Sequence, residues 1–178
     1  ALGSLPVSPG LYIKIQSFVY MPANGVVQGM RPIMSYNYGA GSRKRMMETL
    51  KSSLQVAGVI MLLGTVLFLA CPGWIMKLFD AGDEMMRLGV PMLRIISLGF
   101  VVSTVGCVLS GSFEALGQGM HSLLISMLRQ LVIIVPLSAL FSRIWGIYGV
   151  WMTFPLAEVI AAVAAVILFK RFMKKLKV

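Results

Sequence analysis

Only 6 of the 178 residues are acidic, 2 are cysteine and 1 is histidine, and charged side chains of either sign make up 12% of the chain. So little charge excludes an ordinary soluble domain, where about a quarter of the residues are charged. The lone His121 and the widely separated Cys71 and Cys107 supply no metal-ligand cluster. In the span order set out below, the two cysteines fall on opposite sides of a bilayer. No disulfide is expected, since that bond needs Cα atoms within about 7 Å, and both are expected as buried free thiols. A Gly-x-x-x-x-Gly-Lys-Ser/Thr loop is absent, which excludes ATP use by that route. No nucleophile stands beside a base, so neither an enzyme nor a resident cofactor is expected. There is no cleavable signal segment, and the first residue is Ala, so a piece of a longer protein is expected.

What the chain does have is apolar length. Hydrophobic residues make up 58% of it and the mean hydropathy is +0.87. Charge-poor runs of about 20 residues recur, without the alternation of a membrane barrel, so the fold class expected is all-α and membrane-integral. Five spans are predicted, at about 11–38, 54–76, 89–113, 123–141 and 147–169, followed by a basic tail over 170–178. Pro22 and Pro32 are placed to kink the first span. Asn37 and Gly39 suit its end. Gly99, Ser103, Gly106 and Ser110 recur at spacings of four, three and four, a small-residue seam that lets another helix approach.

The chain carries 16 Lys and Arg. They gather at the ends of apolar runs rather than on one exposed face, which points to the membrane surface and topology and away from nucleic acid. Arg43, Lys44, Arg45 and Lys51 share one side of the zigzag with Lys170, Arg171, Lys174, Lys175 and Lys177, against Lys77, Arg87 and Arg143 on the other. The positive-inside rule therefore puts the C-terminus in the cytoplasm.

Two features call for surroundings other than lipid. Ser17, Tyr20, Asn24, Gln28, Arg31 and Ser35 are spaced by threes and fours, one face of the first helix. They suit either a water-filled cavity or hydrogen bonds to a neighbouring helix. The fourteen methionines, with Phe18, Tyr20, Phe100 and Phe154, suit an adaptable cavity lining or simply core and lipid contact. Glu158 falls near the centre of the fifth span, where a carboxylate costs about 3 kcal/mol or more. It is open to two roles: binding a proton or substrate, or fixing helix packing by pairing with Arg94 or Arg129.

Three motifs then resemble one family. Pro22, Gly25, Gln28-Gly29, Pro32, Ser35-Tyr36-Asn37-Tyr38-Gly39-Ala40 and Arg45 form the first; Phe113-Glu-Ala-Leu-Gly-Gln-Gly119 and Pro155-Leu-Ala-Glu158 are the others. Together they resemble the C-terminal half of a multidrug and toxic compound extrusion (MATE) transporter, especially its MepA/DinF-like bacterial branch. The resemblance implies the last five of twelve helices arranged in two lobes, with an N-terminal lobe as the missing partner. It implies a bacterial inner membrane and export of small cationic amphipathic drugs against H+ or Na+ by alternating access. Ser17, Tyr20, Asn24, Gln28 and Glu158 are then expected to line the substrate cavity. Arg31, Ser35, Tyr36, Asn37, Tyr38 and Gly39 are expected to form a cytoplasmic gate or turn. Some branches carry a coupling-ion carboxylate on the helix matching the third span. Here Leu88 to Phe113 has none, and Ser103 stands near the expected place. The ion site is then expected on the first helix of the missing lobe. A lipid-linked precursor flippase and a non-transport helical subunit are the other readings.

Overall fold

A computed structural model describes residues 9–78 and 82–176, and the described chain is helical apart from short turns. Helix α1, Pro9–Gly39, begins on a proline whose missing N–H is no loss in a first turn, and it runs through both Pro22 and Pro32. The helix ends at Gly39, and Asn37 lies buried in its last turn, where Nδ2 donates to the Ile33 carbonyl at 2.9 Å. The reversal is made two residues past Gly39, at Gly41, whose φ of 67° is glycine's ground.

Helix α2, Arg43–Ala70, starts well before the predicted span, because its basic first turns stay helical outside the apolar stretch. It stops at Cys71, and Pro72 opens the short α3, Pro72–Leu78. Cys71 is a free thiol, but an exposed one: the break that separates α2 from α3 leaves it uncovered, which corrects the expectation of burial.

The predicted third span is a broken pair, α4 (Asp83–Ser97) and α5 (Phe100–Ala115), bent by 54° across Leu98 and Gly99. Carbonyls freed at such a break need partners. Thr65 of α2 donates its hydroxyl to the Ser97 carbonyl at 3.2 Å. Gly99 permits close packing there, since a Cβ would stand 3.1 Å from the Cα of Pro155.

The last stretch comprises α6 (Gly119–Met127), a π-helical segment (Leu128–Ile134) and α7 (Val135–Lys175). Although helical almost throughout, it is a hairpin. Arg129 and Glu158 lie 3.3 Å apart, whereas a straight helix would separate them by about 43 Å. The reversal is at Gly146, with φ 60° and ψ −139°, and it divides α7 into arms over 135–145 and 147–175. By length and composition, α2 and the 119–175 run are apolar enough to cross a membrane, as is the bent pair taken together. The 31-residue α1, with its polar stripe, is long enough but not in that group.

Two apolar clusters hold these elements. One joins Met30, Met34, Met46, Leu50, Val108, Phe113 and Phe169 of α1, α2, α5 and α7. The other joins Met61, Phe68, Met76, Met92, Ile96, Phe100 and Trp151. Seven of the fourteen methionines are core residues of these clusters, whereas Met21, Met47, Met120, Met127 and Met152, like Phe18, are exposed. On α2, Val56, Val59, Leu62, Leu63 and Val66 point outward, the face a bilayer would cover.

Candidate functional site

A cleft of about 170 Å³ opens between α1, α5, α6, the π segment and α7. Its existence follows from small residues on α5: Gly106, Cys107, Ser110 and Gly111 form one wall, where bulkier side chains would close the gap. The seam read in the sequence is thus divided in function. Gly99 lets α7 approach, while Gly106 and Ser110 leave space. Within that wall Gly111 also meets α1, and a Cβ there would collide with Val27.

Two ion pairs line the cleft. Arg129 Nη1 donates to both oxygens of Glu158, at 3.3 and 3.4 Å. The Glu158 side chain is only 13% exposed, so its charge has this guanidinium as its main compensation. Between the two partners left open by the sequence, the structure selects Arg129; Arg94 is exposed. The wide turn of the π segment carries Arg129 into the cleft. Pro136, two residues past the end of that segment, lacks the N–H that would continue the normal ladder.

The second pair joins Arg31 of α1 to Glu114 in the last turn of α5. Arg31 Nη1 also donates to Gln28 Oε1 at 3.3 Å, and Ser122 Oγ donates to Glu114 Oε1 at 2.8 Å. Nearby, Ser35 Oγ donates to the Ala115 carbonyl at 2.7 Å. Arg31 and Ser35 therefore brace α1 against the α5–α6 corner.

Of the residues expected at the cavity, Asn24 and Glu158 line the cleft, and Gln28 reaches it through Arg31. Tyr20 is half-buried outside the lining, edge-on to Phe100 with ring centroids 5.7 Å apart. Ser17 is exposed and also outside it. Among the expected gate residues, Arg31 lines the cleft, Tyr36 is exposed and Tyr38 packs against the core. Gly39 closes α1. Ser103 is buried and donates to the Phe100 carbonyl at 2.7 Å.

Sequence reasoning missed Glu114, Ser122 and Ser126 as cleft residues. Glu114 falls just past the predicted third span, but the turn begins after Ala115 and centres on Gly117, with φ 72°. The signal available was Arg31 itself, a cation near a span end in want of an acid. His121, also outside the predicted spans, sits in α6 stacked on Phe113 at 5.1 Å. Among the described residues no group of three His, Cys, Asp or Glu could hold a metal.

Apolar helices of bilayer length, packed around a cleft walled by ion pairs, define an integral membrane protein of the helical type. More particularly, the chain belongs to the MatE family, whose pattern matches residues 8–140. It is 22% identical over 161 residues to the multidrug export protein MepA of Staphylococcus aureus (strain bovine RF122 / ET3-1), covering 90% of this chain and 35% of that protein. The solved MATE multidrug transporter DinF-BH is 32% identical, with a TM-score of 0.82 over 91% of this chain and 36% of its own. A MOP superfamily transporter from Pyrococcus furiosus, described as having a binding pocket of reverse polarity that suggests a different function, shares the fold at 19% identity. Its TM-score is 0.88, over 94% of this chain and 38% of its own. The chain spans about a third of the length of the relatives it matches.

Proposed function

We propose that this chain is the C-terminal lobe of a multidrug efflux antiporter that exports small cationic amphipathic compounds by alternating access, driven by H+ or Na+. It acts in a bacterial inner membrane with its C-terminus in the cytoplasm, and the remainder of the transporter supplies the opposing N-terminal lobe. The observation that carries this reading is the Arg129–Glu158 pair beside Asn24 in the cleft. A carboxylate this deep in a membrane helix is expensive and belongs where charge is handled. Its present counter-charge is a side chain of the same protein, so an arriving cation competes with Arg129 for the carboxylate. Binding at mid-membrane between helices agrees with how two-lobed carriers work. The names of the MepA and DinF-BH relatives support drugs as cargo. With two acids paired to two arginines the cleft is formally neutral, so a cation would be held by a carboxylate released from its arginine, and the Pyrococcus furiosus relative makes pocket polarity the property to test.

The test is drug efflux from cells expressing the full-length transporter. Asn24→Leu, Gln28→Leu and Glu158→Gln are expected to lower cationic dye efflux about tenfold while membrane insertion, read by surface labelling, stays at the parent level. Efflux at parent rates in all three would refute the cavity. In membrane vesicles, loss of the pH dependence of transport in Glu158→Gln alone assigns proton coupling to this half. An unchanged profile with reduced dye binding assigns Glu158 to substrate.

A further inference from the structure

We propose a second site, separate from the cleft: a groove at the cytoplasmic end of α2 and α7 that binds the phosphate headgroup of an anionic membrane lipid. The groove encloses about 390 Å³ and is lined by Arg43, Lys170, Arg171 and Lys174 over Ile167 and Met173. That volume lies within the roughly 300–1,000 Å³ typical of small-ligand sites. Arg43 is far in sequence from Lys170, Arg171 and Lys174, and the fold brings the four cations to one place. Among the described residues, none of the four has an ion pair or a side-chain hydrogen bond. Four like charges around one concavity repel one another unless an anion sits between them.

Helix dipoles explain only part of this arrangement. Lys174 lies in the last turn of α7, where a cation is favoured. Arg43 lies at the opposite kind of end, in the first turn of α2, where a cation is disfavoured and Ser42 provides no side-chain cap. The uncapped amides and Arg43 are both satisfied by an anion at this position.

The floor of the groove favours a lipid over a soluble anion. Ile167 continues into an outward apolar strip of Val163, Ile160 and Val159 along α7, a path for an acyl chain running from the headgroup toward the bilayer centre. Basic pockets between helices on the cytoplasmic side are a known setting for anionic headgroups. The site rests on the membrane architecture and the cytoplasmic placement of the C-terminus, and not on the transport mechanism.

The experiment uses purified full-length transporter in detergent, with phosphatidylglycerol, phosphatidylcholine and glycerol phosphate as probes read by native mass spectrometry. Phosphatidylglycerol is expected to be retained at least tenfold over phosphatidylcholine and to resist glycerol phosphate. Arg43→Gln, Lys170→Gln and Lys174→Gln should each reduce retention about fivefold. Lys44→Gln with Lys51→Gln, outside the groove, should leave it unchanged. Equal retention of both lipids, unaltered retention in the groove variants, or full displacement by glycerol phosphate would overturn the proposal. These charges also influence topology, so the unmodified protein is labelled with photoactivatable phosphatidylglycerol. Adducts concentrated over residues 167–174 are expected, and an even spread along α2 and α7 would count against the site.

Discussion

Glu158 and Arg129 are each awkward alone and workable together. Removing one partner of a buried pair leaves an uncompensated charge, at about 3–5 kcal/mol, whereas replacing both by neutral groups of similar volume is often close to neutral. In full-length protein, Arg129→Met is therefore expected to lower thermal stability more than Arg129→Met combined with Glu158→Gln. A double-mutant cycle on melting temperatures should return a coupling of about 1–3 kcal/mol. Additive losses would mean that the 3.3 Å contact contributes little. Glu158 was legible in the sequence because an acid amid apolar residues has no bland surroundings. Its choice of Arg129 over Arg94 was not, since both lie on other spans and only the fold decides which one faces it. Glu114 was missed for the opposite reason: at the edge of a span, an acid looks like any loop residue.

Gly146, the π segment and the bend at Leu98 and Gly99 are three of the breaks that shape the helices. Gly146 adopts a backbone conformation almost confined to glycine. A Cβ at Gly149 would collide with the Phe141 backbone, so the two arms of α7 meet tightly just after the turn. Gly146→Ala should accordingly destabilise the full-length protein by about 1–3 kcal/mol, seen as a lower melting temperature in detergent. An unchanged melting temperature would show that the hairpin turns by some other conformation. The sequence indicated this turn through Ser142-Arg-Ile-Trp-Gly146, a polar interruption between two apolar runs. It did not indicate the bend at Leu98 and Gly99, because apolar residues continue across it, nor the π segment, where Arg129 and Gln130 interrupt the apolar run without marking a change of helical turn. A wide turn changes which side chains face inward without changing composition, and Arg129 is the residue it redirects.

At the scale of the molecule, composition was enough for the helical membrane class, since 12% charge leaves few alternatives. Composition could not separate the faces that meet lipid from those that meet protein. Both are apolar, as Met61, buried, and Leu62 and Leu63, exposed, show on consecutive positions of α2. The helices pack mainly through α5, which touches α1, α2, α6 and α7 and makes the chain a unit with a common core. Orientation is testable on the whole: a fluorescent protein fused after Val178 should fluoresce, and an alkaline phosphatase fused there should be inactive. The reverse result would invert every inside and outside assignment, the lipid groove included.

The cleft's charges have a consequence for the membrane voltage. Arg31 and Arg129 are matched by Glu114 and Glu158, so the cleft by itself carries no net formal charge. One elementary charge carried across 100 mV exchanges about 2.3 kcal/mol with the field. In the transport cycle proposed above, the cleft residues of this lobe would therefore bring no net charge to an unloaded return, and the charge moved through this half would be that of the cargo or ion.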